Sequence, residues 1–158
     1  MSAGAITFWA VGFAFAHGQT EEGGSYIGTN YRYFMANDLK SVETNQYPKW
    51  VFMLTFAANS ATIVSGALAE RTQLLAYTGF SIFMTGIIYP VVVSWTWGRG
   101  WLGNQNDTAL GFTDFAGSGI VHMVGGMAGL TGAAILGVRH GKERKIEDKR
   151  DYKKEAEY

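Results

Sequence analysis

Cysteine is absent from the 158-residue chain, which removes disulfides, zinc fingers and thiol catalysis and leaves the compartment open. Charge is scarce and balanced, with 13 Lys and Arg against 13 Asp and Glu making 16% of the residues. A neutral chain of this kind offers no footprint for nucleic acid. It also lacks a nucleophile paired with a base, a cluster of metal ligands and a phosphate-binding loop, so it does not read as an enzyme and calls for no cofactor. What it has instead is apolar residues, 47% of the total, with a mean hydropathy of only +0.01. Polar and apolar residues must therefore be segregated along the chain, as spans and loops are.

Residues 51–69 and 72–98 carry no charge, and 115–138 carries only His122. Each supplies the roughly 20 residues that cross a bilayer as a helix. The uncharged stretch 2–16 is short for a span, and no Lys or Arg precedes it as a signal peptide requires. It reads as a span without its beginning. The spacing thus predicts an all-α polytopic bundle with spans near 2–16, 51–69, 74–96 and 115–138 and a charged tail or connector at 139–158. A soluble bundle is disfavoured, because 72–98 shows no charged face over about seven turns. Trp50, Trp95, Trp97 and Trp101 lie at span ends, where amphipathic rings favour the interface. Pro90 falls inside a span and predicts a kink there.

Lys and Arg begin directly after the last span, which places 139–158 in the cytoplasm. The Glu70-Arg71 turn follows it there, and the 17–49 and 97–113 loops face outside. Asn106-Asp107-Thr108 matches an N-glycosylation sequon, a pattern that also arises by chance. Gly125, Gly129, Ala133 and Gly137 recur every four residues, a stripe that lets another backbone approach. Asp114 stands where an N-cap would accept the first free N–H groups of the last helix. His122 lies about two turns further on, with Gly126 one turn beyond on the same face. An ionisable side chain at such depth faces either the bundle interior or a pore, and packing alone is the commoner role.

The run DFAGSGIVHMVGG at 114–126, followed by Gly129-Leu130 and Gly137-Val138-Arg139, resembles the signature of the ammonium transporter family (Amt/Mep/Rh), in its Amt branch. SGALAERT at 65–72 resembles the junction of the family's third and fourth helices. YPVV at 89–92 with WGRGW at 97–101 resembles the end of its fourth helix, and 9–18 is similar to its second. The resemblance implies a fragment of an eleven-helix protomer, helices two to five, in a homotrimer embedded in lipid at the plasma membrane. It implies ammonium or ammonia as cargo, with methylammonium as a possible analogue. Carried over residue by residue, Phe52 and Phe56 match the two aromatics of the outer vestibule and gate, Trp97 the vestibule tryptophan, and His122 the first of two pore histidines. Asp114 matches an aspartate whose role there is structural.

The chemistry suits these residue types. Aromatic faces attract a small cation by about 0.5 to 2 kcal/mol each. A bare cation in an apolar pore is heavily penalised by desolvation, which favours splitting ammonium into ammonia and a proton. An uncharged imidazole can hydrogen-bond ammonia or relay the proton. Potassium has no proton to lose and stays charged. The family's first helix and its helices six to eleven have no counterpart here, so the chain reads as a fragment or partial gene model that cannot enclose a conduit alone. The alternative is a truncated regulatory or sensor subunit that binds full-length protomers through the Gly125 stripe.

Overall fold

The computed structural model describes residues 2–19, 25–37, 46–103, 111–139 and 141–142. Asn106 and almost all of the 139–158 tail lie outside the described residues. Among the described residues three helices are long and apolar enough to cross a membrane, and a shorter one precedes them. They are α1 (Ala3–His17), α2 (Tyr47–Leu68), α3 (Leu74–Trp95) and α4 (Ser118–Leu136). Among the described residues there is no strand, and the fold is the helical bundle that the apolar segments imply.

Three of the helices contain a wider π-helical stretch: Phe8–Gly12 in α1, Met84–Ile88 in α3 and Ser118–Met123 in α4. The second ends just before Pro90. A proline ring would collide with the carbonyl one turn earlier in a regular helix, and a π turn removes that conflict at the cost of one irregular repeat. The irregularity at Pro90 thus takes the form of a π stretch upstream of it. The α1 and α3 stretches lie side by side. A Cβ on Gly4 would sit 3.2 Å from Thr85 Cγ2, and one on Gly12 would press on the Thr85 carbonyl oxygen. Thr85 Oγ1 lies 3.0 Å from the Gly4 carbonyl and 2.9 Å from that of Ser81, and its single hydrogen serves one of them.

Helices α2 and α4 run parallel, in contact at Gly125, Gly129 and Gly132. A Cβ at Gly125 would come within 2.9 Å of Ser60 O, one at Gly129 within 3.2 Å of Ala67 Cβ, and one at Gly132 within 2.8 Å of Leu68. The small-residue stripe therefore includes Gly132, and it does not reach Gly137. At 100° per residue, seven steps return to a face more closely than eight. Gly137 lies beyond the helix with φ +78° and open space around it, where it ends α4 as glycine commonly does. Hydrophobic force does not join helices within lipid, so this interdigitation is what holds the pair.

The core gathers Phe8 and Phe13 of α1, Ala57 of α2, Tyr89 and Val93 of α3, and Ile120 and Val121 of α4. A second cluster joins Ala61, Val64 and Leu68 to Met84. At one end of the bundle, Arg71 donates from Nε to the Gly137 carbonyl (2.9 Å) and from a terminal nitrogen to Ala67 O. Beside it Arg139 pairs with Glu70 at 2.9 Å. The end of α4 is thereby tied to the turn between α2 and α3.

Candidate functional site

Phe52 and Phe56 stand one turn apart on α2, with ring centroids 5.0 Å apart at 79°. Phe56 in turn meets Trp97 edge to face at 5.4 Å and 69°. These are favourable aromatic geometries, in which a ring edge meets a negative ring face. Phe52 is 59% exposed and Phe56 and Trp97 half-buried, so the line presents ring surface outward.

Trp97 continues the line into the last helix. Its Nε1–H donates to the Asp114 carbonyl at 2.6 Å. The Asp114 carboxylate accepts from Gly117 N (2.8 Å) and Ser118 N (3.0 Å) on Oδ1, and from Gly119 N (2.9 Å) and Ile120 N (2.8 Å) on Oδ2. This is the capping role expected of Asp114, but it acts from four residues before the helix rather than next to it. The span expected from 115 begins at Ser118 because Gly117 is left-handed, φ +85°. Glycine takes that conformation without steric cost. A Cβ there would also stand 3.3 Å from Trp97. Burial alone would raise the Asp114 pKa, but the backbone N–H groups of Ile120, Gly117, Gly119 and Ser118 outweigh it and hold the carboxyl below its ordinary value.

His122 lies on the turn that this cap fixes. Its Nδ1 is 3.1 Å from the Gly117 carbonyl. A carbonyl can only accept, so Nδ1 carries the hydrogen in this bond, which in an uncharged ring leaves the lone pair on Nε2. The ring is exposed, and so is Gly126 one turn on, where a Cβ would meet open space. Phe52, Phe56 and Trp97 are thus joined by direct contact from α2 to the loop after α3, while His122 stands at the start of α4 on the turn that Asp114 caps. Gly125 and Gly129 sit behind, buried against α2. An open apolar groove of about 650 Å³ lies elsewhere, among α2, α3 and α4, lined by Tyr77, Phe80, Met123, Met127 and Ile135 among others.

Two features escape the reading of the sequence. Arg71 looks like a solvated turn residue, yet it bonds a carbonyl 66 positions away, and no local signal marks that pairing. The exposed face of α2 beyond Phe52 consists of Thr55, Asn59, Thr62 and Gly66. Their spacing of four, three and four was available as a signal.

A profile of the Ammonium Transporter Family matches residues 1–155. The chain is 42% identical over 147 residues to Ammonium transporter 1 member 2 of Arabidopsis thaliana, covering 89% of this chain and 28% of that protein. It is 40% identical over 144 residues to Ammonium transporter Amt2 of Archaeoglobus fulgidus, covering 88% and 30%. A solved structure, Sensor Amt Protein, superposes with a TM-score of 0.73 at 35% identity, over 86% of this chain and 33% of that one. The chain thus spans about three tenths of the length of the relatives it matches. Those relatives are transporters rather than enzymes, and its apolar helices are those of an integral membrane protein. Over nearly its whole length, this chain belongs to the Ammonium Transporter Family.

Proposed function

We propose that this chain supplies four helices of an ammonium transporter, and that Phe52, Phe56, Trp97 and His122 border the path of the cargo. The observation that carries this reading is the continuous contact from Phe52 through Phe56 to Trp97, and from Trp97 through Asp114 to the turn that holds His122. Ring faces of Phe52 and Trp97 attract ammonium, or methylammonium, where water still reaches it. Phe56 then narrows the way, and beyond it the cation is disfavoured by desolvation while ammonia is not. His122 offers an Nε2 lone pair to the passing N–H or proton. Asp114 and Gly125 act by holding this geometry, and neither meets the cargo.

In this reading the 17–49 and 97–113 loops lie outside the plasma membrane, and the Glu70-Arg71 turn and the 139–158 tail lie in the cytoplasm. The remaining helices close the conduit around this face, in a homotrimer. In the transporter assembled with those helices, His122→Ala weakens ammonium conduction and the exclusion of potassium. Unchanged ammonium currents with unchanged potassium exclusion would refute the assignment. The likeness to a protein named Sensor Amt Protein supports a second reading, a regulatory or sensor subunit without transport of its own. It requires a stable short product in membranes that co-purifies with full-length protomers.

A further inference from the structure

Asn59 lies within two residues of the middle of α2, where a bilayer is driest. Its side chain is exposed and makes no hydrogen bond among the described residues. Lipid is a poor neighbour for it, since a carboxamide without partners is penalised in hydrocarbon. The exposed faces of α2 and α3 differ in kind. On α3 the outward residues include Leu74, Leu75, Ile82, Phe83 and Ile87, the surface that acyl chains prefer. On α2, from Phe52 onward, they are Phe52, Thr55, Asn59, Thr62 and Gly66, with no aliphatic side chain among them.

The hydroxyls of that face are already used, Thr55 donating to Phe52 O (2.6 Å) and Thr62 to Ala58 O (2.7 Å). Asn59 alone keeps its full set of two donors and an acceptor. Its depth is fixed by the α2–α4 packing. Gly125 meets Ser60 and Ile63, and the helices are parallel, so His122, three residues before Gly125, lies level with Asn59 to within about one residue's rise. Asn59 is also one turn past Phe56, on the line that begins at Phe52.

We infer that Asn59 lines the cargo path beside His122 and hydrogen-bonds the species that has passed Phe56. This rests on the pathway proposed above. A carboxamide can accept from ammonia or donate to its lone pair without carrying charge, so it lowers the barrier for the neutral species.

The chain has no cysteine, so Asn59→Cys, His122→Cys and Ile82→Cys each add one thiol to it. The three are compared in the complete transporter, with the unmodified parent as blank, using methyl methanethiosulfonate as a small neutral probe. Only thiolates react, and a thiol in lipid stays protonated. The expected result is modification and loss of ammonium transport for Asn59→Cys and His122→Cys, and no modification for Ile82→Cys. Reaction at His122→Cys without reaction at Asn59→Cys overturns the role of Asn59 and leaves the pathway standing. Absence of reaction at both overturns the pathway itself. Asn59→Leu, matched in size, should slow transport about tenfold at unchanged half-saturating ammonium, the weight of roughly one hydrogen bond. Asn59→Gln should retain it at equal membrane levels, and full transport by Asn59→Leu refutes the inference.

Discussion

Replacing Asp114 by asparagine keeps its size and removes one of its two acceptor oxygens. In the native structure Oδ1 serves the N–H groups of Gly117 and Ser118, and Oδ2 those of Gly119 and Ile120. The new amide can satisfy one pair, while its NH2 opposes the donors of the other. A buried donor left unpaired costs about 1 to 3 kcal/mol. Each oxygen serves one fully buried N–H, on Gly117 or Ile120, so Asp114→Asn should cost about 1 to 3 kcal/mol and Asp114→Ala about twice that. Amide hydrogen exchange in lipid nanodiscs reads this residue by residue. At about 2 kcal/mol, one pair of amides in Asp114→Asn should exchange roughly 30-fold faster while the other keeps its protection. In Asp114→Ala both pairs accelerate. Equal protection of all four amides in Asp114→Asn would show that the carboxylate does not hold this turn.

The same carboxylate sets a pH dependence. Its folded pKa is below its unfolded one, so its stabilising effect is full above the ordinary carboxylate value of about 4 and is lost as pH falls through the depressed folded value. Protection at Gly119 and Ile120, taken relative to the unstructured exchange rate at each pH, should therefore stay flat above about pH 5 and fall only on acidification below about pH 4. Arg71→Ala removes the charged donor to Gly137 O and should loosen the end of α4 by about 1.5 to 3 kcal/mol, measured as widened distances between spin labels at Ala69 and Val138. Gly125→Val would drive a side chain into the backbone of Ser60, so the α2–α4 pair should separate and thermal stability fall; an unchanged melting profile would refute the close contact.

How legible this was depends on the range of each interaction. Asp114 could be read as a cap from residue type and position, but not its reach of four residues, because the left-handed turn at Gly117 follows from contact with Trp97 as well as from local preference. The Gly125 and Gly129 contacts follow from a helical period, and only the next step differs, since a four-residue repeat drifts off the face that Gly132 occupies. The meeting of Phe56 with Trp97 spans 41 positions and two helices, so the residues alone say nothing of it and family resemblance carries it. Arg71 was opaque for the same reason. The π stretches in α1 and α4 have no proline to announce them. Asn59 was visible as a polar residue in an apolar run, but its meaning needed the depth and direction that packing supplies.

If the aromatic line leads the cargo to His122, a structure of the complete transporter in ammonium, alone and with Trp97→Leu, shows it. The expected result is a bound cation within about 6 Å of the Trp97 and Phe52 ring centroids, on the outer side of Phe56, and its loss in the variant. A cation or ammonia seated in the groove by Tyr77, Phe80 and Met127, with the aromatic line packed against lipid, would contradict it.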